Sequence, residues 1–199
     1  MSARIYIEGG GDSKELGIRL QMAFKKLFER LGFGGRLPSL RWGGGREQTF
    51  DKFKTANRTA PAEAYVAMMV DSEEPVADIE QPWAHLKYRD AWDKPSGVED
   101  DQVLLMVTCM ETWVLTDRRT LRFHFGAALQ ESALPALSDL ESRDRADLQT
   151  KLLHATRGCT NAYSKGKRSF DVVAKLDPTA LRQHLPSFVR MERILADRL

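Results

Sequence analysis

Cysteine and histidine are scarce in this chain of 199 residues. There are two cysteines, Cys109 and Cys159, and four histidines, and none of them lies at the spacing of a metal-binding motif. This pattern argues against a disulfide framework and favours free thiols in a reducing compartment. We therefore expect a cytoplasmic protein in which histidine has no catalytic role.

Long apolar runs and the common nucleotide-binding motifs are also missing. No stretch approaches the roughly 20 apolar residues that a membrane-spanning helix needs, and the first residues do not follow the pattern of a secretory signal. There is no Walker A loop, no Gly-x-Gly-x-x-Gly after a strand and no Ser-His-Asp arrangement. We therefore expect no membrane partner and none of those enzyme classes.

Acidic residues are unevenly distributed along the chain. The net charge is +2, yet residues 63–117 contain 13 Asp and Glu against 3 Lys and Arg. Residues 1–62 contain 12 Lys and Arg against 6 Asp and Glu, and residues 150–199 contain 10 against 4. A metal site within a phosphate-binding surface would produce an acidic centre between basic segments, although charges on unrelated faces would give the same counts.

Short apolar runs alternate with glycine turns and helical periodicity over the first half of the chain. We predict strands at 4–8, 37–42, 64–70 and 103–108, with helices at about 13–31 and 47–57. The alternation indicates an α/β fold, with a mostly parallel central sheet and helices on both faces. Residues 72–101 contain three prolines and are predicted to be largely irregular, with short helical turns around Trp83–Trp92.

The second half of the chain is predicted to be helical. We expect helices at about 144–156, 169–176 and 178–198, the last broken at Pro186. With 42% hydrophobic residues, the chain is long enough to bury one large core. We therefore predict a single domain, with a core at about 1–120 and a helical extension at about 121–199.

Two acidic motifs follow predicted strands. Glu8 precedes three glycines and Asp12, and Asp71-Ser72-Glu73 follows the most apolar strand. Ligands of open α/β sheets bind outside the carboxyl ends of the strands, so we expect these carboxylates to converge. If the strand continues past Asp71, then Asp71 and Glu73 point to the same side. Oxygen ligands suit Mg²⁺ or Mn²⁺, which makes Glu8, Asp12, Asp71 and Glu73 candidate metal ligands.

Each of these carboxylates also has a structural interpretation. Glu8 would act as a cap that the following helix dipole favours, and Asp12 is a preferred N-cap residue. Asp71 and Glu73 would form an acidic turn after a buried strand. The glycines after Glu8 favour function there, because they would let a phosphate or a metal approach the backbone closely. Glu8 is therefore also a candidate general base.

Further candidates lie outside the two motifs. Glu111 occupies an apolar stretch where an unpaired carboxylate would be costly, so it is either a further metal ligand or part of a structural ion pair. Lys165, Lys167 and Arg168 form a basic loop around a glycine, which either contacts phosphate or is solvated. Arg46 follows a second glycine turn at a helix start, where it is a candidate phosphate contact.

The two acidic motifs resemble those of a known domain. Glu8-Gly9-Gly10-Gly11-Asp12 resembles the Glu-Gly-x-x-Asp/Glu motif of the Toprim domain, which occurs in topoisomerases, bacterial primases and the overcoming-lysogenization-defect nucleases. Asp71-Ser72-Glu73 resembles its Asp-x-Asp motif, with glutamate in the last place. Over nearly the whole chain, the sequence is similar to a bacterial Toprim-like family known as domain of unknown function 4276. The similar segments are Val70–Glu73, Trp92–Pro95, Asp100–Gln102, Met110–Asp117 and Tyr163–Gly166.

This resemblance implies a Mg²⁺- or Mn²⁺-dependent nuclease that cleaves phosphodiesters of DNA or RNA. It implies Glu111 as the family-matched further ligand and Lys165 as the residue that stabilises charge on the scissile phosphate. Relatives are often encoded beside ATPases, which implies an ATPase partner in bacterial defence. A non-catalytic subunit that binds nucleic acid or the ATPase is the alternative if the acidic residues are dispersed or paired with arginines. A small-molecule phosphohydrolase would need a closed pocket.

Overall fold

The computed structural model describes residues 2–199, and its elements alternate as the sequence pattern predicts. In chain order they are β1 (Ala3–Glu8), α1 (Lys14–Phe28), β2 (Ser39–Gly44), α2 (Arg46–Thr59), β3 (Tyr65–Asp71), α3 (Pro82–Asp90), β4 (Val103–Met106), α4 (Met110–Thr116), α5 (Arg118–Phe125), α6 (Arg145–Thr156), α7 (Lys167–Val173), α8 (Pro178–His184) and α9 (Pro186–Arg198). A π-helical turn at Glu29–Phe33 extends α1. Within residues 2–199, no helix has the length and apolar character needed to cross a bilayer.

The four strands form one parallel sheet in the order β2-β1-β3-β4. In the register of the central pair, Ile5 on β1 lies opposite Ala67 on β3. The predicted α/β fold is confirmed, and the sheet is parallel throughout. Because all four strands run the same way, their carboxyl ends lie along one edge, which places the ends of β1 and β3 side by side.

Alternating side chains of the strands build two hydrophobic layers. On one face, Ile5, Ile7 and Met69 pack with α1 and the C-terminal helices. On the other face, Val66 and Met68 pack with α2 and α3. The strands read as continuous apolar runs because both faces are buried, as expected for a parallel sheet. Because both faces are buried, the register of each strand is fixed, and so are the residues that lie at its carboxyl end.

The C-terminal helices belong to the same core as the sheet. Arg190 of α9 is 5% exposed, and its Nη1 and Nη2 donate to the carbonyls of Val103 and Asp100 at 2.8 Å each. Phe188 packs edge-to-face on Trp113 with ring centroids 5.0 Å apart. These contacts join α9 to the start of β4 and to α4. The helical extension therefore covers one face of the sheet.

Two element boundaries differ from the sequence predictions. The strand predicted at 103–108 ends at Met106, because the chain turns there into α4, where Thr108 N donates to Thr112 Oγ1 at 3.2 Å. In the segment predicted to be largely irregular, the short helical turns expected around Trp83–Trp92 are one helix, α3, which ends at Asp90. Trp92 anchors the chain after this helix by stacking on Phe50, with ring centroids 4.1 Å apart.

Candidate functional site

The carboxyl ends of β1 and β3 border a cavity of about 170 Å³. Charged residues from several parts of the chain line it. They are Glu8 from β1, Asp71 from β3, Glu111 from α4, Arg145 from α6 and Lys165 from the loop before α7. Gly9, Gly10 and Gly166 contribute backbone without side chains. Three carboxylates therefore share one cavity with two cationic side chains.

Glu8 is held in place by the strand beside it. Its Oε2 accepts hydrogen bonds from Asp71 N and from Arg46 Nη1, both at 3.2 Å. The next three residues, Gly9–Gly11, all have φ between +52° and +134°, which residues with a side chain rarely adopt. The glycines thus let the chain turn sharply after Glu8. Burial raises the pKa of Glu8, and the charge of Arg46 opposes that rise.

Arg46 is engaged inside the protein. Its Nε and Nη2 donate to Asp90 at 2.9 and 2.6 Å, and Nη1 also donates to the carbonyl of Asp71 at 2.5 Å. The guanidinium lies over the ring of Trp92, 5.0 Å from its centroid. The predicted phosphate contact of Arg46 stays a prediction. In the structure, its hydrogen bonds fix the positions of Glu8 and of the end of β3.

Asp71 occupies the centre of the acidic group. Its Oδ1 accepts a hydrogen bond from the backbone N–H of Met110 at the start of α4, at 2.9 Å. Burial raises the pKa of Asp71 to about 8, and the nearby carboxylates of Glu8 and Glu111 add to this rise. Carboxylates that disfavour one another's charge in this way are characteristic of sites for protons or cations.

Glu111 lies on the first turn of α4 and is 2% exposed. Its Oε1 accepts a hydrogen bond from the buried hydroxyl of Tyr163 at 2.9 Å. Burial, together with the charge of Glu111, raises the pKa of Tyr163 well above the usual value, so this phenol is a stable donor. Tyr163 thus orients Glu111 at the cavity.

Arg145 and Lys165 lie opposite the carboxylates. Gln149, one turn along α6 from Arg145, lies between them. The amide orientation that suits both neighbours turns its oxygen towards them, and in that orientation the oxygen accepts from Arg145 Nε at 3.2 Å and from Lys165 Nζ at 3.1 Å. Arg145 Nη1 forms an ion pair with Glu73, and Nη2 lies 3.9 Å from Asp71 Oδ2. One neutral side chain therefore holds two cations together.

Glu73 and Asp12 lie outside the cavity lining. Strand β3 ends at Asp71, and Glu73 has φ of 69°, so the condition under which Asp71 and Glu73 would point to the same side is not met. The Glu73 carboxylate pairs with Arg145 and lies 3.7 Å from Arg89. Asp12 is exposed, and its Oδ1 accepts from Gln48 Nε2 at 3.0 Å. Their roles as metal ligands stay predictions.

The rest of the basic loop is exposed. Lys167 is the first residue of α7, and Arg168 Nη1 donates to the carbonyl of Ala162 at 2.9 Å. Of the predicted nucleic-acid contacts, only Lys165 lines the cavity. Lys167 and Arg168 lie beside it on the surface of α7, and their contact with nucleic acid stays a prediction.

The donor types in the cavity suit a hard divalent cation, but in the described residues their spacing does not form a ready-made site. Its candidate ligands are all carboxylate oxygens, which are the ligands that Mg²⁺ and Mn²⁺ prefer. Protein donors hold one oxygen of Glu8, of Asp71 and of Glu111, which orients each group. Within the described part of the chain, no three His, Cys, Asp or Glu side chains are grouped closely enough to form a ready-made metal site.

Three residues that line or support the cavity were not predicted from the sequence: Arg145, Gln149 and Tyr163. Tyr163 lies within a segment that carried the family resemblance, and that was a usable signal. Arg145 and Gln149 lie four residues apart on a helix that was correctly predicted, but nothing local marks the face that they occupy. Only the packing of α6 against α4 brings them to the strand ends.

The fold and cavity define a parallel α/β protein with an acidic and basic site at the carboxyl ends of its strands. The model of one protein family, described as Domain of unknown function (DUF4276), matches residues 7–196. The chain belongs to this family. Searches of curated proteins and of solved structures gave no match.

Proposed function

We propose that this protein is a metal-dependent nuclease of the Toprim type that cleaves phosphodiesters of DNA or RNA. The observation that carries the proposal is the cavity at the strand ends, where Glu8, Asp71 and Glu111 lie with Lys165. Glu8 and Asp71 belong to the two motifs that resemble the Toprim domain. Their positions after neighbouring parallel strands are what such a site requires.

In this proposal, Glu8, Asp71 and Glu111 would hold Mg²⁺ or Mn²⁺. The ion supplies Lewis-acid stabilisation of the phosphate and lowers the pKa of bound water. A bound cation would also relieve the repulsion among carboxylates that have been brought together in a buried place. Glu73, which pairs with Arg145, is better placed to support the site than to bind the ion.

The chain's own residues would perform two further tasks. Glu8 has a raised pKa, which suits a group that accepts a proton from water and later releases it. Lys165 presents an ammonium group to the cavity, where it would offset negative charge on the scissile phosphate. As the effector of a bacterial defence system, the protein would act beside an ATPase partner.

A second candidate is a non-catalytic subunit that binds nucleic acid or the ATPase. The observation that favours it is the pairing of acidic residues with arginines: Glu8 with Arg46, and Glu73 with Arg145 and Arg89. Such pairs can be purely structural. The third function considered, a phosphohydrolase for small molecules, would use the same cavity with a substrate that fits within it.

The proposal is tested by comparing the wild-type protein with a Glu8→Gln, Asp71→Asn double variant. Both are incubated with plasmid DNA and with tRNA, in Mg²⁺, in Mn²⁺ and in EDTA. The double variant keeps hydrogen-bond acceptors but loses two negative charges, so we expect a loss of at least about 100-fold in metal-dependent cleavage. Metal binding by isothermal titration calorimetry should be lost in parallel.

A Glu15→Gln, Asp51→Asn double variant is the matched control, because it removes one glutamate and one aspartate charge from exposed helix positions. It should cleave and bind metal like the wild-type protein. Equal cleavage by all three proteins would reject the catalytic assignment. Metal binding without cleavage would favour the non-catalytic subunit, and absence of both would reject the metal site.

A further inference from the structure

We propose that Arg145 and Lys165, held side by side by Gln149, form a binding site for one phosphate group of the substrate. This site rests on the proposed function, since it would be the phosphate-binding half of the same cavity. Lys165 was a candidate from sequence, but Arg145 and Gln149 were not. The site is described by the contacts of these three residues and of Glu73.

Arg145 is directed towards the cavity by contacts on two sides of its guanidinium. Nη1 pairs with Glu73, and Nε donates to the amide oxygen of Gln149 at 3.2 Å. Nη2 is 3.9 Å from Asp71 Oδ2, which is beyond hydrogen-bond distance. Two contacts therefore orient the guanidinium while Nη2 keeps donor capacity for a ligand. The side chain is 30% exposed, so a ligand can reach it.

Lys165 supplies a second donor beside Arg145. Its Nζ donates to the same Gln149 oxygen at 3.1 Å, and this partner is neutral. Two positive charges that share a neutral acceptor repel each other, and an anion placed between them would remove that repulsion. A guanidinium and an ammonium group are the side-chain donors that bind phosphate best, the first through its planar fork and the second as a compact charge.

The charges that line the cavity favour a phosphate group. Arg145 and Lys165 both line it, and charge-assisted donors of this kind bind phosphate oxygens. We therefore infer that the site takes a phosphate of a nucleic-acid backbone. Recognition of this kind does not depend on base sequence.

Glu73 gains a function in this arrangement. Its ion pair holds Arg145 at the rim of the cavity, while Arg89 lies on its other side at 3.7 Å. Glu73 is thus a positioning residue for the phosphate site. Its left-handed backbone conformation turns the carboxylate towards these arginines. The acidic residue at the end of the second motif would then support substrate binding through Arg145.

Inorganic phosphate is the probe for this site. Binding to the intact protein is measured by isothermal titration calorimetry and by ³¹P line broadening, with excess Mg²⁺ and again in EDTA. Arg145→Gln and Lys165→Gln should each weaken phosphate binding at least about tenfold, because each removes a charge-assisted hydrogen bond. Gln149→Leu keeps both cations but removes their shared acceptor, so we expect a smaller loss of about threefold.

Arg58→Gln is the matched control. Arg58 is exposed near the end of α2, twelve residues and hence about 18 Å along the helix axis from Arg46. It should bind phosphate like the wild-type protein. Circular dichroism establishes that each variant is folded. If Arg145→Gln fails to fold, Lys165→Gln carries the test, because Lys165 lies at an exposed position.

Two results would overturn the phosphate site: no saturable phosphate binding by the wild-type protein in either condition, or equal binding by the Arg58 variant and the folded cavity variants. Failure of the nuclease proposal looks different, because cleavage is not measured here. A protein that binds phosphate through Arg145 and Lys165 but never cleaves nucleic acid would keep this site and lose the nuclease assignment.

Discussion

Charged residues lie at both edges of the sheet, but they are arranged in opposite ways. At the edge where β3 and β4 begin, Arg198 Nε donates to Asp101 Oδ2 at 2.7 Å, and Arg190 donates to backbone carbonyls. At the edge where the strands end, Glu8, Asp71 and Glu111 share one cavity. The first edge matches each cation with an acceptor. The second brings three carboxylates into one cavity, where Arg145 and Lys165 face them.

The paired charges at the first edge stabilise the fold, whereas the crowded carboxylates at the second are available to bind a ligand. Burial and the neighbouring carboxylates raise the pKa of Asp71, which is a cost to folding at neutral pH. Paired groups at the other edge join α9 to the sheet. Natural proteins tolerate local costs of this kind chiefly at functional sites. Substitutions at the two edges should therefore have opposite effects on stability.

The largest effect is expected from Arg190→Met at the paired edge. This variant keeps much of the volume but leaves the carbonyls of Val103 and Asp100 without their donor. Buried unpaired acceptors predict a loss of about 3 kcal/mol in the free energy of unfolding, measured in urea. Arg193→Met is the control on the same helix, because Arg193 also pairs with Glu80 but is 56% exposed. It should lose under about 1 kcal/mol. Equal losses would contradict the structural role of Arg190.

An intermediate effect of opposite sign is expected from Asp71→Asn at the crowded edge. Asparagine keeps an acceptor for Met110 N. It also removes a carboxyl group that the folded protein holds largely protonated at neutral pH, whereas the unfolded chain ionises it. In EDTA at neutral pH, we expect the free energy of unfolding to rise by about 2 kcal/mol. Magnesium binding should be lost at the same time. A destabilised variant would show that the carboxylate of Asp71 holds the fold together.

The smallest effect concerns Glu141, a buried carboxylate away from both edges. Its Oε1 accepts from Ser187 N at 3.2 Å and from Ser187 Oγ at 2.5 Å, but burial still raises its pKa to about 7. The raised pKa means that the folded protein binds the proton more tightly than the unfolded chain. The stability contributed by that proton is complete below about pH 4.5 and is lost as the pH rises to about 7.

Glu141→Gln should remove this pH dependence. At pH 8 we expect the variant to be more stable than the wild-type protein by about 1 to 2 kcal/mol, and at pH 4 the two should agree closely. Urea unfolding across this range measures the difference. Glu131→Gln is the control, because Glu131 is exposed and paired with Arg122, which lowers its pKa. A gain at pH 8 for the control but not for Glu141→Gln would contradict the assignment.

Much of the fold could be predicted because its signals are local. Apolar runs bounded by glycine turns located all four strands, and helical periodicity located α1 and α6. The end of β4 and the exact bounds of α3 could not be predicted, because they depend on contacts made after the chain folds. Thr112 caps the turn after β4, and Trp92 stacks on Phe50 from a distant helix.

The candidate site divides in the same way. Glu8 and Asp71 could be placed together because parallel strands end at one edge. Lys165 was predicted to lie near them, and it lines the same cavity. The left-handed turn at Glu73 was not visible in sequence, and neither was the face of α6 that carries Arg145. Both depend on how the chain packs in three dimensions, which the hydrophobic periodicity of the sequence does not specify.

The origin of the cavity residues along the chain has a consequence for synthesis. The first 111 residues supply all three carboxylates, whereas Arg145, Gln149, Tyr163 and Lys165 come from the last third. During synthesis, the three carboxylates of the cavity are therefore made before its arginine and lysine. The site is completed only when α6 and the loop before α7 have docked. The cavity therefore cannot act on a ligand until translation of the domain is nearly finished.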